Sequence, residues 1–248
     1  MRLDVFYTPI QVKPSDTAGR LVAIVDVLRA STSVATALGN GARTVMPVEG
    51  ADEVIFRSKE FHRSQIVLAG EQKMLPIPGF DLGNSPQSFT SEAVEGKTIL
   101  FTTTNGTRAL LGVQGARDIV IASYVNFTAV LALMKVAASS NTDIAIICAG
   151  EEGGFTLEDA ACAGRYVKAI PKRADAIVAN DAAAASVLIE KKYGDNIAKV
   201  FKESTHGKAL QEAGFGADLA AAAEVDAYPV VPIYQERQIT KLGPERAR

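Results

Sequence analysis

Two stretches of the chain, 20–71 and 97–151, present the same five segments in the same order, and this recurrence restricts the fold more than any other feature. In the first, Leu21 to Leu28 is an apolar run interrupted by Asp26, and Ser31 to Leu38 opens with hydroxyls and continues with Ala-rich helical spacing. Thr44 to Val48 then reads as a strand, Ala51 to Phe61 as a helix, and Gln65 to Ala69 as a strand ending at Ala69-Gly70-Glu71. About 75 to 80 residues later the series returns: strand Thr98 to Phe101, helix Asn105 to Leu111, strand Asp118 to Ala122, helix Phe127 to Ala138, and strand Asp143 to Cys148 ending at Ala149-Gly150-Glu151. Gly41-Ala42-Arg43 matches Gly115-Ala116-Arg117, and Ser33 matches Thr107 at the start of the first helix. Short β-branched runs alternating with longer helical patterns predict an α/β fold with a largely parallel or mixed sheet, here built on an internal β-α-β-α-β duplication.

We read residues 1–248 as one α/β domain, with similar halves at about 20–71 and 97–151 and a C-terminal α/β portion, 152–235. That portion is expected to hold helices at Thr156 to Ala169, Asp181 to Lys192, Thr205 to Ala213 and Asp218 to Val225, with strands at Ala176 to Ala179 and Val230 to Tyr234. The charged tail Gln238 to Arg248 is expected to fray. Gln72 to Ser91, broken by Pro76, Pro78, Gly79, Gly83 and Pro86, is too punctuated for a regular element, and ordered loops of that length are usually functional.

Ligands of parallel sheets gather beyond the carboxyl ends of strands, so the expected site is a cleft between the halves. Arg29-Ala30-Ser31-Thr32-Ser33 places three hydroxyls and unpaired N–H groups at a helix start, where an anion is favoured; capping by one serine is the simpler alternative. Thr102-Thr103-Thr104-Asn105-Gly106-Thr107 repeats the device, because the helical Thr107 to Leu111 makes a Gly-containing anion loop a better reading than a hairpin turn. Asp26, within an apolar run, must be paired or hold a metal; a salt bridge to Arg29 is the alternative to a metal. Glu71, Glu158 and Asp159 are the hard oxygen donors that Mg²⁺ prefers, although Thr156 and Asp159 also stand at capping-box spacing and Glu158 at an ordinary first-turn position. His206 opens a predicted helix as a general acid, a phosphate contact or an exposed structural histidine. His62 reads as a surface residue, Glu151 and Glu152 either as further site carboxylates at a strand edge or as solvated loop charges, and Cys148 and Cys162 as small buried hydrophobes.

A net charge of −2, with 26 Lys+Arg against 28 Asp+Glu and no basic run, argues against nucleic acid as a partner. No Trp and 6% aromatics leave little for base stacking. No apolar stretch approaches the roughly 20 residues of a membrane span, and the N-terminus has no secretory pattern, so a cytoplasmic protein is expected. No Ser-His-Asp order, P-loop lysine pattern or dinucleotide fingerprint is present.

Val25-Asp26-Val27-Leu28-Arg29-Ala30-Ser31-Thr32, Ala69-Gly70-Glu71, Gly79-Phe80-Asp81-Leu82-Gly83-Asn84-Ser85-Pro86, Thr102 to Thr107 and Glu158-Asp159-Ala160-Ala161-Cys162-Ala163-Gly164 together resemble the 2-phosphosulfolactate phosphatase family, from about Asp4 to Ile233. The resemblance implies a three-layer α/β/α architecture and a Mg²⁺-dependent phosphomonoesterase that converts 2-phosphosulfolactate to sulfolactate and phosphate, a step toward coenzyme M. For that chemistry the residues themselves suggest Asp26, Arg29 and His206 as the catalytic groups. Asp26, Glu71, Glu158 and Asp159 are expected to hold Mg²⁺. Ser31, Thr32, Ser33, Asn84, Ser85, Thr103, Asn105, Gly106 and Thr107 are expected to bind the phosphoester. Arg29, Arg108 and Lys73 are the candidate partners of its remaining negative charge, and attack by Ser31 competes with attack by water. The alternatives are a phosphatase for another small phosphorylated hydroxy acid, a non-catalytic anion-binding module and a phosphotransferase, the last without a nucleotide loop. A homodimer is the expected assembly, as is common for small α/β enzymes.

Overall fold

The computed structural model describes residues 1–113, 115–170 and 178–243, with the side chains of Arg108 and Val178 outside the description. Strands are β1 (Arg2–Phe6), β2 (Leu21–Val25), β3 (Thr44–Pro47), β4 (Ile66–Gln72), β5 (Leu75–Pro76), β6 (Thr98–Thr102), β7 (Asp118–Ala122), β8 (Ile144–Cys148), β9 (Val178–Ala179), β10 (Pro232–Gln235) and β11 (Gln238–Lys241). Helices are α1 (Pro14–Thr17), α2 (Ala30–Gly39), α3 (Ala51–Ser58), α4 (Ser91–Val94), α5 (Gly106–Leu111), α6 (Phe127–Ser139), α7 (Leu157–Ala169), α8 (Asp181–Tyr193), α9 (Ile197–Glu203), α10 (Thr205–Glu212) and α11 (Gly216–Ala223).

The period of two along the strands sorts side chains to two faces. Val22 and Ile24 of β2, with Ile99 and Phe101 of β6, pack under Val34 and Leu38 of α2 and Leu110 of α5. Their neighbours Ala23 and Val25 turn to the opposite face, against Met134 of α6 and Tyr166 of α7, while Leu100 meets Val54 of α3. The result is an α/β/α sandwich around a mixed sheet.

Among the described residues the strand order is β5-β4-β6-β3-β11-β10-β7-β2-β8-β1-β9. Each half of the sequence lends its first strand to the other. β6 lies between β3 and β4, with Thr98 opposite both Thr44 and Ile66. β2 lies between β7 and β8, with Leu21 opposite both Asp118 and Ile144. The antiparallel β10–β11 hairpin joins the two parallel blocks through β7 and β3, so the blocks run in opposite directions.

Several expectations are corrected. The strand carrying Asp26 ends at Val25, which places the carboxylate just beyond the sheet edge. The tail is not frayed at Gln238–Lys241: β11 lies at the centre of the sheet, with Ile239 buried opposite Tyr234 and Val45. Its turn, Glu236-Arg237, takes positive φ at both residues (50° and 63°), as a two-residue hairpin loop requires, without the Gly or Asn that would announce it. The segment read as irregular, Gln72 to Ser91, contains β5, paired with Glu71 and Gln72, and a single 3₁₀ turn at Pro86–Ser88, and the strand expected to end at Ala69 runs on to Gln72. β1 and α9 were not anticipated, and of the strand expected at Ala176 to Ala179 only Val178–Ala179 lies inside the described residues.

Candidate active site

The loop between β2 and α2 folds around its own acid. The Asp26 Oδ1 atom accepts the Ala30 N–H at 3.1 Å, its backbone carbonyl accepts the Ser31 N–H, and its N–H donates to the Ser31 hydroxyl at 2.9 Å. The helix start therefore caps itself on Asp26. Oδ2 has no hydrogen-bond partner among the described residues, and the start of α5 packs against it: a Cβ built on Gly106 would stand 2.8 Å from Oδ2 and 2.8 Å from the Ala30 Cβ. Only glycine admits this approach, and through it the loops after β2 and β6 meet although their strands are far apart in the sheet order.

Glu158 and Asp159, adjacent in the first turn of α7, do different work. Asp159 accepts the N–H groups of Val27 (2.8 Å) and Gly150 (3.2 Å) and the Thr156 hydroxyl (2.9 Å), tying the loops after β2 and β8 together rather than capping α7. Glu158, only 1% exposed, meets His206 Nδ1 at 3.2 Å through Oε1, and its buried Oε2 has no partner. Ser204 caps α10 on the Gly207 N–H, and His206 lies in that first turn, its side chain 12% exposed.

Burial pushes the Asp26 carboxyl up to about 6; His206 and the Ala30 N–H pull against this, while Glu71 and Glu158 add to it. Asp159 is also pushed up, by burial and then by Asp26 and Glu158. For His206, burial opposes the charged form, but the bond to Glu158 and the charges of Glu158, Glu151 and Asp26 outweigh it and leave the imidazole above its ordinary value. Acids crowded in low dielectric resist ionisation unless a cation joins them, and His206 is the described side chain whose charge favours ionisation of Asp26.

The other expected residues are largely engaged with the protein. Arg29 does not pair with Asp26: its Nη1 meets Asp218 Oδ2 at 2.8 Å, its Nη2 donates to the Met74 carbonyl at 2.7 Å, and its guanidinium lies 4.3 Å from the Phe215 ring centre. Glu71 accepts the Thr104 N–H (2.8 Å) and the Met74 N–H (2.9 Å). Thr32 bonds the Val27 carbonyl and Ser123, Ser33 donates to the Asn84 carbonyl, and Ser85 donates to Asp218. Thr103 and Thr107 exchange side-chain and backbone bonds at the start of α5, and Asn105 Oδ1 accepts the Glu152 N–H. The Asn84 Oδ1 atom is buried without a partner. Thr103 and Thr107 line both a cavity of about 30 Å³ against Asp26 and an open cleft of about 740 Å³ that also takes in Glu71, Lys73, Thr104 and Glu152. Asp218 was missed in the sequence, where an acid in a helix's first turn is unremarkable.

Among the described residues, no group of three or more His, Cys, Asp or Glu side chains is arranged to hold a metal ion. Among the described residues, no hydrogen bond reaches Asp26 Oδ2, and Glu158 Oε2 is buried without a partner. Mg²⁺ commonly takes one or two carboxylates and fills its shell with water and substrate phosphate, so this pair suits it, whereas Glu71 and Asp159 already spend both oxygens on the protein.

An α/β/α sandwich with buried acids, a histidine held above its ordinary value by one of them and a polar cleft at its strand ends has the features of a small-molecule enzyme site. Residues 6–237 match the family model described as 2-phosphosulpholactate phosphatase. Relatives named probable 2-phosphosulfolactate phosphatase come from Caldanaerobacter subterraneus subsp. tengcongensis (38% identical over 232 residues, 94% of this chain and 95% of the relative) and Symbiobacterium thermophilum (36% over 237 residues, 94% and 99%). A third is from Clostridium acetobutylicum (34% over 239 residues, 96% and 100%). The chain belongs to the 2-phosphosulfolactate phosphatase family and with it to the phosphoric monoester hydrolases.

Proposed function

We propose that this chain hydrolyses 2-phosphosulfolactate to sulfolactate and phosphate with Mg²⁺ bound through Asp26 and Glu158. The observation that carries the reading is that, among the described residues, Asp26 Oδ2 receives no hydrogen bond and Glu158 Oε2 is buried without a partner, in two acids close enough for Glu158 to help push the Asp26 carboxyl up. When bound there, Mg²⁺ would supply charge to polarise the phosphoryl group and lower the pKa of water. Glu158 orients His206 through Nδ1, and the raised imidazole carries a proton to the leaving alkoxide oxygen. Gly106 keeps the approach to Asp26 Oδ2 free of side chains, and Thr103 and Thr107 border the phosphoryl position. Ser31 is buried with its hydroxyl held by the Asp26 N–H, which supports water rather than serine as the attacking group.

We place the reaction in the cytoplasm, on a small anionic ester, in a chain that pairs as a homodimer and whose product leads toward coenzyme M. Among the described residues, no helix is long and apolar enough to cross a membrane. The equal registers of β2 and β6 support an origin of the two halves by duplication, with the first strands exchanged. Phosphate release from racemic 2-phosphosulfolactate, with 2-phospholactate beside it, tests the reading. Release that needs Mg²⁺, stops in chelator and prefers the sulfonated ester is expected. Equal release from both esters favours a phosphatase for small phosphorylated hydroxy acids in general, and release from neither removes the reading.

A further inference from the structure

We propose that Asp218 is a positioning residue, the pin of a continuous chain of hydrogen bonds that holds the loops around Asp26 in one arrangement. The proposal rests on the reading of Asp26 as the centre of a phosphomonoesterase site.

The chain begins in the loop after β6, where the Thr104 N–H donates to Glu71 Oε1 at 2.8 Å. Glu71 Oε2 accepts the Met74 N–H at 2.9 Å, and the Met74 carbonyl accepts from Arg29 Nη2 at 2.7 Å. Arg29 Nη1 closes on Asp218 Oδ2 at 2.8 Å, and Asp218 Oδ1 accepts the Ser85 hydroxyl. Five segments distant in sequence are thereby joined: the loop after β6, the β4–β5 turn, the loop before α2, the loop at Ser85, and α11.

Three features mark this chain as more than surface pairing. The Arg29 and Asp218 side chains are 2% and 3% exposed, so removal of either leaves an uncompensated charge inside the protein. The guanidinium is planar and serves two acceptors in fixed directions, which fixes the Met74 carbonyl relative to Asp218. Met74 sits at φ 69°, a left-handed backbone held at its N–H by Glu71 and at its carbonyl by Arg29.

None of these groups bonds the free oxygens of Asp26 or Glu158, yet the chain of bonds adjoins Asp26 at two of its links, Arg29 and Thr104. Arg29 directly precedes Ala30, whose N–H holds Asp26 Oδ1, and Thr104 lies two residues before Gly106, which packs against Oδ2. Asp218 therefore acts on the reaction through the position of the Asp26 carboxylate, and Glu71 shares that role.

Steady-state kinetics and peptide-resolved hydrogen exchange on the full chain test this. In Asp218→Asn we expect kcat on 2-phosphosulfolactate to fall about ten- to a hundredfold, with KM changed by less than about threefold, since misplacement of a reacting group by about 1 Å costs on that scale. Exchange should quicken in 71–76 and 102–107, whose amides do not touch Asp218. Glu71→Gln keeps the buried ion pair, and it should quicken exchange in 216–223 at the far end; this variant carries the test if Asp218→Asn does not fold. Exchange confined to the altered residue's own segment in the folded variants, or a kcat for Asp218→Asn within about twofold of wild type, overturns the proposal. Should wild type release no phosphate, the functional reading fails, and exchange alone decides here: propagation along the chain supports it and confinement refutes it.

Discussion

Replacing Asp26 by Asn should abolish turnover and, in metal-free protein at neutral pH, make the fold more stable. The carboxyl titrates near 6 in the folded chain against 3.8 for the free group, with burial as the largest cause. The charges that face it are His206, which favours ionisation, and Glu71, Glu158 and Asp159, which oppose it. A folded pKa above the unfolded one means that the native state holds more protons between about pH 4 and 6, so stability falls as pH rises through that window. About two units correspond to about 3 kcal/mol, fully expressed above pH 7 and under about 1 kcal/mol near pH 4. Asn keeps the Oδ1 acceptor for the Ala30 N–H and removes the charge. For a chain of this size 3 kcal/mol corresponds to a rise in Tm of roughly 6–12 °C. Urea unfolding of both proteins in chelator at pH 8 and pH 4 measures the gap. Equal or lower stability of Asp26→Asn at pH 8, or a gain of the same size at both pH values, would refute the reasoning.

Gly106→Ala should lose most turnover and about 1–3 kcal/mol of stability, because its Cβ meets Asp26 Oδ2 and Ala30 at 2.8 Å; phosphate assays and denaturant melts report both. Replacing Glu236-Arg237 by Asn-Gly should stabilise the β10–β11 hairpin by roughly 0.5–1 kcal/mol, since both positions have positive φ; an unchanged or lower urea midpoint would contradict the assigned turn. Cys148 and Cys162 are buried and their thiols are pushed up by burial, with Asp159 adding to it, so an aromatic disulfide reagent at pH 8 should label neither until denaturant is added.

The alternation of strand and helix was legible because the buried parallel strands are continuous apolar runs, but the recurring Ala-Gly-Glu triplets do not mark equivalent strand ends: 149–151 follows β8, whereas 69–71 lies inside β4, which runs on to Gln72. The opposed direction of the two blocks was not legible, since it is set by a hairpin whose turn is Glu-Arg and whose second strand carries one buried apolar residue, Ile239. At the site, the sequence singled out Asp26, Glu158 and His206, which the fold brings together. It could not separate carboxylates with a free oxygen from those already saturated, because the partners of Glu71 and Asp159 are backbone N–H groups that any residue would provide. Nor could it pair Arg29 with Asp218 across 189 positions, when Asp26 stood three residues away.

Phosphate release from 2-phosphosulfolactate as free Mg²⁺ is raised, compared among wild type, Glu158→Gln and Glu71→Gln, tests the central claim most directly. If Asp26 and Glu158 hold the ion, Glu158→Gln should raise the half-saturating Mg²⁺ about tenfold or more, while Glu71→Gln lowers the maximal rate with half-saturation within about threefold of wild type. Wild-type turnover that persists in chelator, or a Glu158→Gln protein with an unchanged response to Mg²⁺, would contradict it.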